Sequence, residues 1–287
     1  MDTSKSTSPH PSYVRVFQTF IRNSLVRDMS FRGNFLIESI ASTSWVFMNV
    51  GFYLLIFQFT NQIGADSGWG KYEFFVFLAT TMFVNSVVQA LFMPNAQEFS
   101  ELIRTGGLDF VLLKPIDTQF LVSFQRVEWS TLSNFLVGIV MLVYSMYQLM
   151  TRDVNPLHLS PIAVVIYPLF ILCGIIVLYS LMITLAATSI WLGRNQTLYN
   201  FWFYITNFSR YPMEIYSGPA GMALRSFFTF IIPVLVVVNV PARVMAKPLI
   251  ASGWFLPLFT VVATVGSVVA SRWVFRRALL SYRSASS

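Results

Sequence analysis

The sequence predicts an all-α, polytopic membrane protein with six transmembrane helices, and three observations carry that prediction. Only 11% of the 287 residues are charged while 55% are hydrophobic, against about 25% charged in an ordinary soluble domain. Uncharged runs as long as a bilayer crossing recur along the whole chain. Lysine and arginine crowd the segments on one side of those runs. With a mean hydropathy of +0.64, a soluble fold of this length would have to expose much of its apolar side-chain area to water. A soluble enzyme, a disordered chain and a nucleic-acid-binding domain are therefore poor fits.

Taken in order, the first segment is polar. Met1 to Pro11 is rich in Ser and Thr and lacks the apolar core of a secretory signal. Residues 1–12 therefore read as a disordered tail ahead of a single transmembrane domain over 13–280. Residues 13–29 follow with Tyr13, Val14, Phe17, Phe20, Ile21 and Leu25 at spacings of three and four, and with Arg15, Gln18, Arg22 and Asn23 mostly elsewhere on the wheel. That pattern predicts an amphipathic helix at a membrane surface. It serves either as a plain anchor or as an elbow that also touches a cytoplasmic partner.

Runs free of Asp, Glu, Lys and Arg cover 39–65, 74–97, 129–151, 154–193 and 248–271. A helix needs about 20 apolar residues to cross a bilayer, so spans are expected near 36–59, 74–94, 131–150, 162–191 and 253–271. Asn155-Pro156 and Ser160-Pro161 read as a turn ahead of the fourth. The remaining span lies somewhere in 195–242. Hydropathy alone selects 226–242, which is short and interrupted by Pro233, Asn239 and Pro241. The alternative is the aromatic stretch 195–213, with 226–250 then forming two half-helices that dip into one leaflet. Broken backbone at membrane depth needs protein or a water-filled cavity around it.

Orientation follows from the basic residues. With 195–213 as the fifth span, thirteen Lys and Arg lie on the side of the two termini and six on the other. With 226–242 instead, Arg210 and Arg225 change sides and the bias grows. Both choices put the termini in the cytoplasm.

Several chemistries are excluded. Cys173 is the only cysteine, so no intramolecular disulfide exists. His10 and His158 are too few for a histidine-built metal site. The nearest phosphate-loop lookalike, residues 65–72, lacks the first Gly and the final Ser or Thr and sits on the outer side. The chain has no loop of its own for binding ATP. Only Glu38 lies near a span. Asn49, Asn85, Gln89 and Asn134 suit hydrogen bonds between helices. Scarce intramembrane carboxylates weigh against an ion-coupled transporter, and no inverted repeat is obvious. The shortage of His, Cys and intramembrane Asp weighs against a lipid-modifying enzyme.

The loop 95–128 is the most informative segment. Residues 96–105 read as a short helix with Phe99, Leu102 and Ile103 on one face. Glu98, Glu101 and Arg104 follow at three-residue steps, and Glu101 and Arg104 can pair. Gly106-Gly107 supplies a stop, and Pro115 blocks further helix. So much structure in a cytoplasmic connector suits docking of a partner on its charged face.

The stretch 101–115, ELIRTGGLDFVLLKP, resembles the IRxGxLDxxLLxP stretch of bacterial ABC transporter permeases of the type-2 exporter superfamily, in particular short six-span stand-alone permeases. Arg210-Tyr211-Pro212 with Ile215-Tyr216, Pro233 with Val240-Pro241-Ala242, and Arg32-Gly33-Asn34-Phe35 are similar too, so the resemblance extends over roughly 12–280. It implies a cytoplasmic N-terminal elbow helix at 13–29, a coupling helix between spans 2 and 3 at 97–105, and re-entrant half-helices at 226–250 before span 6. It thereby favours 195–213 as the fifth span. Glu98, Glu101 and Arg104 would form the ATPase-coupling surface, with Phe99 and Ile103 as packing anchors and Asp109 in the Gly-Leu-Asp motif beside them. The implied role is the transmembrane subunit of an ATP-driven exporter working by alternating access, a transport subunit and not itself an enzyme. Implied partners are a second permease, identical or related, two ATPase subunits and membrane lipids, with no nucleic acid. ATP and Mg would sit on the ATPases, leaving no cofactor in this chain. The implied location is the bacterial plasma (inner) membrane. The competing expectation is an ion-coupled transporter or channel without an ATPase.

Overall fold

The structure, a computed structural model, describes residues 12–64, 67–192, 196–247 and 253–282. Among the described residues all regular structure is helical, apart from one isolated bridge between Gln62 and Gly70. The expected tail lies outside the described residues except for Ser12.

The amphipathic segment forms α1 (Tyr13–Ser30), which turns at Phe31 into α2 (Arg32–Phe59). Gly70 precedes α3 (Lys71–Leu91). A kink at Phe92 separates α3 from α4 (Met93–Arg104), after which come α5 (Gly107–Leu112) and α6 (Thr118–Phe124). The chain returns through a 3-10 turn at Trp129–Leu132 into α7 (Ser133–Thr151) and then α8 (Pro161–Leu192). A shorter α9 (Gln196–Asn207) ends in a 3-10 turn at Phe208–Arg210. Next come α10 (Gly218–Ser226), continued by a π turn at Phe227–Ile231, α11 (Val234–Ala246) and α12 (Phe255–Ser281).

Five helical stretches are long and apolar enough to cross a membrane: α2, α3 with α4, Trp129–Thr151, α8 and α12. At 1.5 Å per residue, the 21 residues of α3 rise about 32 Å, close to the hydrocarbon thickness of a bilayer. These five fall on five of the expected spans. Neither candidate for the remaining one is a straight full-length helix. The 12 residues of α9 rise about 18 Å, and 193–195 lie outside the described residues. Gly218–Ile231 and Val234–Ala246 together are apolar enough for a span but meet at 89°; 248–250 lie outside the described residues.

α3 is the central helix, with Phe74 to Phe77 and Val84 buried. It packs on α7 and α11, and α8 packs on α11 and α12. α11 is enclosed along its length, and its Asn239 is fully buried. That amide is satisfied: Nδ2 donates to the Leu235 carbonyl at 2.8 Å, and Oδ1 accepts from the Met213 backbone N–H at 2.8 Å. α2 is the least enclosed span, tied to α7 by Asn134 Nδ2 donating to Ser42 Oγ at 2.6 Å. Asn49 instead donates to the Trp45 carbonyl of its own helix.

Candidate functional site

The end of the bundle that carries α1 and the last turns of α12 holds the loop singled out by sequence. Its backbone is fixed by a proline. Pro94 has no N–H, so the Ala90 carbonyl one turn back has no helical donor. That carbonyl accepts instead from the Glu128 N–H at 2.9 Å. Asn95 completes the seam, donating to the Arg126 carbonyl at 2.7 Å and accepting from the Arg126 N–H at 2.8 Å. From the other side, Ser24 Oγ of α1 accepts from the Val127 N–H at 3.0 Å. The segment 126–128 is thus held between α1 and the α3–α4 kink.

Below that seam α4, α5 and α6 share one apolar cluster. Phe99, Leu108, Val111, Leu121 and Val122 pack against Ile183 and Ala187 of α8 and Phe275 and Ala278 of α12. Gly106 makes the tight link from α4 to α5 at φ 72°, a left-handed conformation glycine adopts without steric cost.

The sequence-selected residues separate into two groups. Phe99 is fully buried, its ring 5.8 Å from that of Phe275, and Ile103 packs on the same cluster. Both anchor α4 inward. Glu101 and Arg104 pair on the exposed face, Arg104 Nε donating to Glu101 Oε2 at 2.8 Å. Glu98 accepts from Arg126 Nη1 at 2.9 Å, a partner 28 residues away. Asp109 lies beside Tyr282, whose hydroxyl is pushed up in pKa by burial and by that carboxylate.

Three features escaped the sequence reading. Phe110 and Leu113 project outward, 73% and 81% exposed; their signal was a helical stretch with more apolar residues than one face can bury. α6 is N-capped by Asp117, whose Oδ1 accepts from the Phe120 N–H at 2.9 Å. An Asp soon after a helix-blocking proline was the available signal. The same carboxylate receives Arg272 of α12, which no local spacing encodes. Burial raises the Asp117 carboxyl, but the Arg272 guanidinium and the Phe120 N–H outweigh it and hold it below the usual carboxylate range.

Beside α4 an open groove of about 810 Å³ is lined by Asp28, Glu38, Glu98, Glu101 and Glu128 together with Arg27 and Arg126. Burial, then the charges of Glu38 and Asp28, raise Glu128 above the usual carboxylate range. A carboxyl whose folded pKa is raised is penalised when ionised in the folded state. Its contribution is most favourable below the unfolded value of about 4.3 and is lost as pH rises through the folded one. Glu128→Gln should therefore raise the melting temperature of the detergent-purified chain at pH 8 and converge with the parent near pH 4.5. An equal offset at both pH values refutes this.

At the opposite end Trp69 is fully buried, and its Nε1 donates to Glu214 Oε2 at 3.0 Å. Glu214 also pairs with Arg243 of α11. Lys247 donates to the Ser67 carbonyl at 2.9 Å and lies 4.3 Å over the Trp69 ring. Burial lowers the Lys247 pKa. No cluster of His, Cys, Asp and Glu suited to a metal occurs among the described residues.

The family model described as ABC-2 family transporter protein matches residues 45–286. No curated protein and no solved structure matches the chain. With a match over more than half its length and with its several bilayer-length helices, the chain belongs to the ABC-2 family of transporter proteins, as the multi-pass membrane permease component of an ABC transporter.

Proposed function

We propose that this permease is the transmembrane subunit of an ATP-driven exporter in a bacterial inner membrane, with both termini cytoplasmic. It works with a second permease, identical or related, and with two ATPase subunits that carry ATP and Mg. α1 is the elbow helix, α9 with its 3-10 turn the fifth span, and α10–α11 the re-entrant pair. One observation carries the reading: the α4–α6 segment is folded onto α8 and α12 at the end of the bundle that carries α1, yet leaves Phe110 and Leu113 exposed. Exposed aromatic and aliphatic side chains on an otherwise charged end suit a protein partner.

In this reading α4 and α5 together form the coupling element. Glu101 and Arg104 supply its charged rim, Phe110 and Leu113 its apolar anchors, and Phe99 and Ile103 seat it from behind. Glu98 and Asp109 flank that surface. ATP binding closes the two ATPases, the coupling elements move with them, and the permease interface opens outward. Nucleotide drives this only through its different affinity for the two states.

Affinity purification of the native complex should recover an ATPase subunit with the chain. The double variant Phe110→Asp/Leu113→Asp should remain monodisperse but bind that subunit at least tenfold more weakly, since buried interface anchors typically contribute more than about 1 kcal/mol each. Equal recovery of the ATPase with the variant removes these residues from the contact. Absence of any ATPase from the native complex overturns the proposed function.

A further inference from the structure

In the cytoplasmic segment α4–α6, α4 continues α3, but the two helices after it are too short to hold themselves. α5 has six residues and α6 seven, whereas isolated helices below about 12 residues are marginal in water. Their apolar cluster with α8 and α12 supplies attachment, but apolar burial is non-directional. It leaves a short helix free to slide or roll when it is pushed.

The seam at 126–128 fixes α4, and for α6 direction comes from a second polar network at its start. Arg272 Nη1 donates to Asp117 Oδ1 at 3.1 Å and to Gln119 Oε1 at 3.0 Å, and Nη2 donates to Asp117 Oδ2. A two-pronged guanidinium–carboxylate contact fixes angle as well as distance. Gln119 Nε2 donates to the Tyr179 hydroxyl of α8 at 3.0 Å, and Ser123 Oγ lies 2.8 Å from the same oxygen. The Asp117 N–H donates to the Tyr13 hydroxyl of α1 at 3.4 Å. Rings reinforce it: Tyr13 on Phe120 at 5.0 Å and Phe17 on Phe124 at 5.4 Å. Asp117 therefore caps α6 and binds α12 with one carboxylate. Arg272 is also the first charge on α12 after the uncharged run 248–271, where that helix leaves the apolar layer. The pair is partly solvent-exposed, 39% for Arg272 and 30% for Asp117, and a pair this exposed contributes little to stability. Its geometric specificity is out of proportion to that contribution.

We propose that Asp117 and Arg272 are positioning residues forming a latch that makes α4–α6 move as one body with α12 and α8. A displacement imposed at α5 is then delivered to the spans instead of being absorbed in the loop. This rests on the coupling role proposed above.

The test uses the full-length chain in nanodiscs with Cys173→Ala and nitroxide labels at Thr105→Cys and Leu280→Cys, both exposed positions. Dipolar spectroscopy on the parent should give one narrow distance distribution. Asp117→Asn keeps a capping oxygen for α6 but removes the charge, and Arg272→Lys keeps the charge but removes the fork. Both should broaden the distribution at least twofold while leaving the melting temperature within a few degrees of the parent. In the assembled complex, ADP and vanadate should leave the parent distance unchanged and shift that of Asp117→Asn. A narrow, unshifted distribution in both variants overturns the latch. So does a large fall in melting temperature for both, which marks a merely structural pair. The nucleotide-free measurement needs no ATPase, so failure of an ATPase to associate sinks the proposed function and leaves the latch itself still decided.

Discussion

Glu214→Ala should destabilise the folded chain by about 3–5 kcal/mol, the range for breaking a buried ion pair from one side. Arg243 and Glu214 are only 17% and 16% exposed, so water cannot replace the lost partner. The carboxylate also accepts from the Nε1 of Trp69, a side chain with no exposed surface. Removing it strands a guanidinium, an indole N–H and, beside them, the half-buried Lys247. The melting temperature of the detergent-purified variant should fall by roughly 10 °C. Glu214→Gln, which keeps an acceptor, should fall less. Removing both charges with Glu214→Ala/Arg243→Leu should recover part of the loss, because most of the penalty is an unpaired charge and not a missing attraction. A single variant as stable as the parent, or a double variant no better than the single, contradicts this account of the opposite end of the bundle.

What could be seen in the sequence was what repeats locally. Uncharged runs of bilayer length mark α2, α3, α7, α8 and α12 because span length is a one-dimensional property. The helical spacing of Tyr13, Phe17, Phe20 and Leu25 marks α1 for the same reason, and Glu101 pairs with Arg104 as a three-residue step requires. The region 195–242 was harder because its polar groups are satisfied partly from a distance: the Asn239 amide donates to the Leu235 carbonyl of its own helix, but its oxygen is satisfied by the Met213 N–H, 26 residues away. The loop shows the same divide. Periodicity put Phe99, Leu102 and Ile103 on one face but carried no sign of which way that face turns; the cluster with Phe275 turns it inward. Asp117 and Arg272 are separated by 155 residues, so neither residue signals the other.

Gly174 should tolerate no side chain. Pro241 on α11 lacks an N–H, which leaves the Val237 carbonyl without its helical donor, and α8 packs directly against that place. A Cβ built on Gly174 would lie 2.7 Å from the Val237 carbonyl oxygen and 3.0 Å from Val237 Cγ1. The nearer atom is backbone, so no rotamer change relieves the clash. Small residues allow membrane helices to approach this closely, and packing supplies most of their attraction where apolar burial gives no preference over lipid. Gly174→Ala should therefore cost about 1–3 kcal/mol through overpacking, and Gly174→Leu should prise α11 from α8 and abolish a monodisperse, cooperatively melting chain. Gly266 on α12 provides the control. Nothing lies within 4 Å of a Cβ there, and alanine is favoured over glycine in a helix by about 1 kcal/mol, so Gly266→Ala should melt at or above the parent temperature. Equal tolerance of alanine at both positions would mean that α8 and α11 are held apart, and that the close contact at the Val237 carbonyl does not set their spacing.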